Sequence, residues 1–219
     1  MIARIIRVTL AALWMASIVP VASAQLMSTC TEASPERRGE LGCTILATKP
    51  LPDALTPPAF WHLDRFPSLE LARAAVGPTG IAFEAAGTAW LSTIESRTSD
   101  HHGGVHVAQV GPLTLPPAAK RAMLIQSARF TPGMYSLDHH HSGVEAVYVV
   151  EGEGCYTTPD RAFRLKAGET LALDGGITMR AVVTGSKPRH VLAVIVHDAA
   201  QPATMRMPEG TGPPLASCQ

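Results

Sequence analysis

The sequence predicts an all-β fold of the sandwich or barrel class. Its 219 residues include 18 Gly and 18 Pro, which divide the chain into short segments with the composition of β-strands. Few segments show the period of about 3.6 residues that is typical of helices. The predicted strands are 81–84, 89–95, 105–110, 123–130, 144–150, 162–165, 170–173, 178–183 and 190–196. A chain of this length suffices for a single domain with one core.

The first 24 residues have the order of a secretory signal peptide. Arg4 and Arg7 precede an apolar run over residues 8–21, and small residues close the segment at Ala24. This order of basic, apolar and small residues is typical of cleaved export signals. The apolar run is also shorter than the roughly 18 residues that a membrane-spanning helix needs. We therefore predict cleavage before Gln25 and a periplasmic or secreted protein that is not held in a membrane.

Charge argues against a nucleic-acid partner. The chain has 18 basic and 18 acidic residues, and removal of residues 1–24 takes away two arginines and no acid. The mature net charge is therefore about −2, and no basic stripe is present for phosphate contacts. A small molecule is the expected partner instead.

Four cysteines remain after the predicted cleavage: Cys30, Cys43, Cys155 and Cys218. Disulfides persist in exported proteins, so at least one bridge is expected. Four cysteines allow three connectivities, and the sequence does not choose among them. One of them joins Cys30 to Cys218 and Cys43 to Cys155.

The segments before residue 122 predict additions to a barrel. Residues 25–58 are Pro-rich and aperiodic, which predicts an extended N-terminal arm over the surface. Ser68 can cap a short helix over residues 69–76, which Gly77 and Pro78 end. We predict that residues 25–121 form this arm and accessory strands, that 122–197 form the barrel core, and that 198–219 form a C-terminal tail.

The residues that carry chemistry lie between Gly133 and Gly152. Side chains alternate along a strand, so His139 and His141 share one face while His140 points away. After the turn at Ser142 and Gly143 the chain can return with Glu145 on the same side. Two imidazoles and one carboxylate then converge, which is a ligand set that leaves metal positions open to water or substrate. In contrast, Tyr148 alternates to the face opposite Glu145 and is predicted to pack outside the barrel.

This segment resembles the first motif of the cupin superfamily, which is Gly, five residues, His, one, His, three or four, Glu, six, Gly. The matching residues are Gly133, His139, His141, Glu145 and Gly152. The resemblance implies a jelly-roll barrel over about residues 122–197 and one divalent transition metal, Fe, Mn, Ni, Cu or Zn, bound by His139, His141 and Glu145. It also implies a homodimer, because cupin barrels often pair through exposed strands.

The second cupin motif, which supplies a fourth histidine ligand, is matched only in part. Gly168 and Gly176 are in place, but Met179 stands where that histidine is expected, and Asp174 and Val183 replace the usual Pro and Asn. Met179 either packs on the barrel wall or gives the metal a thioether, which would favour copper. His106 or His197 could supply a substitute ligand, and His101 and His102 could lie at the barrel mouth.

Two functions stay open at this level. The first is a metal-dependent enzyme that acts on a small molecule, with a dioxygenase-like oxidoreductase as the leading analogy. The second is a non-catalytic cupin that binds a small ligand or carries a metal. No separate general acid or base can be named, because Glu151, Glu153 and Asp174 lie at predicted turns. The catalytic residues, if any, are unassigned.

Overall fold

The computed structural model describes residues 26–27, 31–32, 42–96, 103–208 and 210–218. The predicted signal peptide, Cys30, His101 and His102 lie outside these residues. Export after cleavage at Ala24 therefore stays a prediction, which the intact mass of the exported product tests. The described residues contain no helix that is long and apolar enough to cross a membrane.

The described residues form one helix and seventeen strands, most of them short. The helix α1 is Leu69–Ala74. The strands are β1 Leu26–Met27, β2 Thr31–Glu32, β3 Gly42–Pro50, β4 Ala59–Phe66, β5 Gly80–Ala85, β6 Thr88–Glu95, β7 Val105–Leu113, β8 Arg121–Phe130, β9 Tyr135–Ser136, β10 His139–His141, β11 Val144–Glu151, β12 Glu153–Thr157, β13 Ala162–Lys166, β14 Thr170–Leu173, β15 Arg180–Val183, β16 Arg189–Asp198 and β17 Thr204–Arg206. The prediction of an all-β fold is confirmed.

Two sheets enclose the barrel, and a third covers one of them from outside. The six-stranded sheet has the order β14-β11-β16-β8-β3-β2, and the five-stranded sheet has the order β1-β9-β15-β12-β13. Between them lies an apolar cluster that includes Phe130, Val149 and Val183. The four-stranded sheet, β5-β6-β4-β7, packs on the outer face of the six-stranded sheet through residues such as Trp61 and Val194.

The six-stranded sheet is therefore buried on both faces. Along β11, Val144 and Ala146 belong to the outer cluster, whereas Val147 and Val149 belong to the barrel interior. Because neighbouring side chains alternate across a strand, the strands β8, β11 and β16 each supply both cores. This explains the continuous apolar run of β16, which a sheet with one solvated face would not show.

The N-terminal arm and the segment after it differ from the prediction. Gly42–Pro50 is not a surface wrapping but a strand that pairs antiparallel with β8 in the barrel sheet. Ala59–Phe66, which was not predicted, is an inner strand of the four-stranded sheet, between β6 and β7. Both faces of β4 are buried and it carries the buried polar residues His62 and Asp64, so it lacks the period-two pattern used to find strands. The domain boundary at residue 121 stays a prediction. The strand β3 precedes that boundary in the chain but pairs with β8, which belongs to the predicted barrel core.

The short helix begins where the sequence predicts. Ser68 is its N-cap and its Oγ accepts a hydrogen bond from the Leu71 backbone N–H at 3.2 Å. The helix ends at Ala74, two residues before the predicted end. Its buried residue Ala72 packs in a small cluster with Phe66 and Leu91 on the four-stranded sheet. The capping pattern thus located the start more accurately than the end, since helix ends fray.

Both bridges of the pairing suggested by the sequence, Cys30 to Cys218 and Cys43 to Cys155, are wrong. Cys155, on β12, is bonded to Cys218 near the C-terminus, with their Cα atoms 6.1 Å apart. Cys43 is also disulfide-bonded, so it does not pair with Cys155. The bond to Cys218 joins the C-terminal tail to the five-stranded sheet, a contact that no local pattern in the sequence specifies.

Candidate metal centre

The structure brings the three predicted metal ligands to one end of the barrel cavity. His139 and His141 are the first and last residues of β10, and their rings lie 5.0 Å apart in a T-shaped arrangement. Glu145 is the second residue of β11, and its Oε1 atom is 3.6 Å from His141 Nε2. The side chains of His141 and Glu145 are 2% and 4% exposed. His140 does not line the cavity, in agreement with strand alternation.

The turn between β10 and β11 requires a glycine. A Cβ atom on Gly143 would collide with the backbone oxygen of Val196 on the neighbouring strand β16. Because the turn packs this closely on β16, Glu145 enters the barrel directly after the histidine strand. Local chain geometry therefore places the carboxylate beside the two imidazoles.

Backbone contacts fix which ring nitrogen of each histidine is available. The Nδ1 atom of His139 lies 2.7 Å from the Leu137 carbonyl oxygen, and Nδ1 of His141 lies 3.1 Å from the Ala203 carbonyl oxygen. A carbonyl oxygen only accepts, so each Nδ1 carries the proton and each Nε2 has a free lone pair. His141 Nε2 is buried and has no hydrogen-bond partner in the described part of the chain. Metal-binding histidines usually show this arrangement.

Two distances among the three side chains are close to those expected around one metal ion. Ligand atoms about 2.1 Å from an ion at tetrahedral angles lie about 3.4 Å apart, and two imidazole rings on one ion have centroids about 5 Å apart. The observed distances of 3.6 Å and 5.0 Å are close to both values. Among the described residues, no three His, Cys, Asp or Glu side chains are already spaced to hold an ion. Binding of an ion by all three residues thus requires the side chains to move.

Burial sets the charge of the candidate ligands. It lowers the pKa of His141 to about 4 and, with the added repulsion of His141, lowers the pKa of His139. Both imidazoles are therefore neutral at pH 7, which is the form that binds metal. Burial also raises the pKa of Glu145, while the nearby charges of His139 and Arg189 oppose that rise. A bound cation would favour the ionised carboxylate in the same way.

Met179 lies beside His139 in the structure. Its backbone N–H donates to the His139 carbonyl oxygen at 2.8 Å, and the His139 N–H donates to the Met179 carbonyl oxygen at 3.1 Å. Its side chain is 1% exposed, lines the cavity and belongs to the apolar cluster of the barrel. These contacts account for Met179 by packing, and its role as a ligand stays a prediction.

We expect Met179→Leu to retain the metal and Met179→His to bind it more tightly. Leucine keeps the bulk and apolarity that the cluster requires, whereas histidine would add a nitrogen ligand next to His139. Metal affinity of the purified variants measures both effects. The expectation fails if X-ray absorption of the native metal shows a sulfur ligand that disappears in Met179→Leu.

The cavity beyond the candidate ligands is small and mostly apolar. Its volume is about 290 Å³, at the lower end of the range of small-molecule sites. The apolar lining includes Ile45, Leu124, Ala128, Phe130, Leu137, Val147, Ala181, Val191 and Ala193. The lining also includes a buried tyrosine, Tyr156, and a buried arginine, Arg189. Sequence reasoning missed both of these residues.

Strand alternation could have identified Arg189. It is two residues before Val191 and four before Ala193, which both line the cavity. An arginine at the first of these inward positions is unusual for a barrel core, because charged residues are rarely buried without a partner. Tyr156 carries no comparable signal, because a tyrosine on a buried strand is common. Burial raises the Tyr156 pKa to about 12, although the nearby Arg189 opposes the rise.

The C-terminal tail completes the site. Thr204–Arg206 pairs with His139–His141 as a two-stranded ribbon, and Pro202, Ala203, Thr204 and Arg206 line the cavity. Thr204 Oγ1 lies 3.0 Å from His141 Nδ1. The segment predicted as a simple tail therefore orients one of the candidate ligands.

Of the four other histidines singled out from the sequence, the structure describes His106 and His197, and neither lines the cavity. His106 lies on the four-stranded sheet, with its Nδ1 atom 2.9 Å from Asp64 Oδ1. His197 is buried on β16 and its nearby charge contributes to the lowered pKa of His141, but it does not line the cavity. His101 and His102 lie outside the described residues. Tyr148 packs against Trp90 on the outer face, with ring centroids 6.3 Å apart, which confirms that prediction.

Residues 127–195 match a family model described as a cupin domain, so the predicted resemblance is confirmed for the barrel core. Solved structures similar to parts of this chain include three proteins. A cupin-like protein from Thermotoga maritima is 16% identical with a TM-score of 0.36, and the match covers 39% of this chain and 64% of that one. DMSP lyase DddQ from Ruegeria pomeroyi is 19% identical with a TM-score of 0.36, covering 40% and 45%.

Oxalate decarboxylase from Lactobacillus farciminis, solved as a formate complex, is 18% identical with a TM-score of 0.34. That match covers 40% of this chain and 26% of the decarboxylase. A comparison with curated protein sequences gave no match. The chain thus spans less than two thirds of the length of each of these three solved proteins.

Proposed function

We propose, from the premise that residues 127–195 form a cupin domain, that this chain is a metal-dependent cupin that acts on a small molecule in its barrel cavity. One observation carries the proposal. His141 presents a buried Nε2 lone pair without a hydrogen-bond partner in the described residues, 3.6 Å from a buried carboxylate. An unpaired polar atom at this depth is costly unless a ligand satisfies it. A divalent cation satisfies the imidazole and the carboxylate together.

His139, His141 and Glu145 would hold this cation, which we propose to be Fe, Mn, Ni, Cu or Zn. Three protein ligands leave coordination positions open toward the cavity. A bound ion supplies Lewis acidity there and, if it is redox-active, the means for dioxygenase-like chemistry. The chain contributes neutral imidazoles held by Leu137 and Ala203 and apolar walls that limit water beside the ligand.

A second function, non-catalytic binding of a ligand or carriage of a metal, is favoured by one further observation. In the described part of the chain, the cavity lining has no carboxylate or imidazole besides the three candidate ligands. Tyr156, with its pKa raised to about 12, stays protonated near neutral pH. A proton-transfer step would then have to use a metal-bound group or the substrate itself.

Glu145→Gln tests the metal site without disturbing the fold. We expect this change to weaken Zn(II) binding about tenfold or more, because it removes the anionic ligand. The metal-free protein should lose no stability, since burial already disfavours the ionised carboxylate. Competition with a chelating dye and urea unfolding measure the two effects.

Glu151→Gln is the matched control for this experiment. Glu151 ends the same strand but is exposed, so its variant should keep the affinity of the unmodified protein. Elemental analysis of protein from its native source then identifies the metal. Equal Zn(II) affinity in Glu145→Gln, Glu151→Gln and the unmodified chain would refute the proposed site.

A further inference from the structure

Arg189 is a buried cation in the wall of the barrel cavity. It is the first residue of β16 and its side chain is 1% exposed. It faces the same cavity as His139, His141 and Glu145. The candidate metal ligands do not use it, and no ion pair within 4.0 Å joins it to a carboxylate of the described residues.

The surroundings hold the guanidinium in place. Its central carbon lies 5.4 Å from the centre of the Phe130 ring and 5.2 Å from that of Tyr156. At Gly154 on β12, a Cβ atom would lie 2.7 Å from Arg189 Cδ and 2.8 Å from its Nη1 atom. The absence of a side chain at residue 154 therefore makes room for the arginine. Two aromatic faces favour the cation, and Tyr156 also makes a side-chain hydrogen bond with Arg189.

Two nitrogens of this cation lack partners. Nε and Nη1 are both buried, and neither has a hydrogen-bond partner among the described residues. Arginine cannot lose its proton to avoid this cost, so its charge and its N–H donors remain. Buried donors on a cation are strongly unfavourable when they are unpaired. An acceptor that carries negative charge satisfies both requirements.

The charge of the cavity points in the same direction. Glu145 is the single carboxylate among the described residues that line it. If Glu145 binds a divalent cation, the ion, this carboxylate and the buried Arg189 together leave an excess of about two positive charges, and the exposed Arg206 of the lining adds one more. An anionic ligand reduces that excess.

We propose that Arg189 binds the carboxylate of a small organic acid in the barrel cavity. This inference rests on the proposed function, because it assigns the ligand class of the same site. A cavity of about 290 Å³ limits the ligand to a small molecule, and the walls suit an apolar body. The carboxylate accepts hydrogen bonds from the guanidinium, and the rest of the molecule extends along the cavity lined by the candidate metal ligands.

Paired probes test this assignment in the full mature chain loaded with Zn(II). Acetate, butyrate, oxalate and benzoate are each compared with the corresponding primary amide by titration calorimetry. We expect at least one carboxylate to bind about ten- to a hundredfold more tightly than its amide, because a charge-assisted hydrogen bond is lost in the neutral probe. Arg189→Met should abolish this preference, and Arg189→Lys should keep part of it.

Arg161→Met is the matched control. Arg161 also stands over an aromatic ring, that of Phe163 at 4.9 Å, but it is exposed and outside the cavity. The preference should survive in this variant. Thermal unfolding of Arg189→Met and Arg189→Lys establishes that both are folded.

The outcomes separate this inference from the proposed function. If no carboxylate is preferred over its amide, or if Arg189→Met keeps the preference, the carboxylate site is wrong even when Zn(II) binds normally. If the chain binds no metal, the same titrations are run on the metal-free chain. The absence of metal binding already refutes the metal proposal. An Arg189-dependent preference in the metal-free chain then still supports the carboxylate site, whereas no preference refutes that site as well.

Discussion

His141→Ala is expected to lower Zn(II) affinity by at least about a hundredfold, whereas His140→Ala should change it by less than about threefold. His141 contributes a buried Nε2 atom that faces Glu145. His140 points to the other side of β10, where it is paired with Met205 in the ribbon. Loss of one of three protein ligands exceeds the ten- to hundredfold effects of residues that only orient ligands. Competition with a chelating dye at pH 7.5 measures both variants.

The two histidines are neighbours of identical chemistry, so each serves as the control for the other. A loose histidine tract would bind metal through either residue. Equal losses in the two variants would therefore contradict a built site. Circular dichroism in the absence of metal checks that His141→Ala keeps the fold, because Ala203 and Thr204 lose their contacts with the imidazole.

Cys218→Ser is expected to lower the free energy of unfolding of the oxidised protein by about 4 kcal/mol. The bond between Cys155 and Cys218 closes a loop over a sequence separation of 63 residues, and a cross-link of this length strongly restricts the unfolded chain. Replacing Cys218 is preferable to replacing Cys155, which is 0% exposed, because a serine there would bury a hydroxyl group. Urea unfolding at a single pH gives the difference.

Ser217→Ala is the control for the disulfide experiment. Ser217 is an exposed neighbour in the same tail, and its change should leave stability within about 0.5 kcal/mol. Reduction of the unmodified protein also breaks the disulfide of Cys43, so it should lower stability at least as much as Cys218→Ser does. Equal stability of Cys218→Ser and the oxidised unmodified chain would show that the bridge contributes little.

The disulfide and the candidate metal centre share one feature, which is the C-terminal tail. The tail provides Ala203 and Thr204 to orient His141 and ends at the bond to Cys155. The Arg164 side chain donates a hydrogen bond to the Cys218 carbonyl oxygen, which adds a further attachment to the five-stranded sheet. Residues after 197 therefore contribute to the lining of the barrel cavity and contact one candidate metal ligand.

Features that depend on neighbouring residues can be predicted from the sequence. Strand alternation alone predicts that His139 and His141 share a face without His140, and the cavity contains these two and not the third. The capping residue Ser68 predicts the start of the helix for the same reason, because its hydrogen bond spans three residues. The all-β class follows from many such local signals that agree with one another.

Features that depend on residues far apart in the chain are seen only in the tertiary structure. Two contacts join distant segments: the bond from Cys155 to Cys218 and the contact of His141 with Ala203. The burial of Arg189 between Phe130 and Tyr156 also depends on residues far apart in the chain. The strand β4 was missed because burial on both faces removes the alternation that marks a strand. Local periodicity fixes which way a side chain points along its own strand. Which partner it meets depends on how whole sheets pack, and no short segment carries that information.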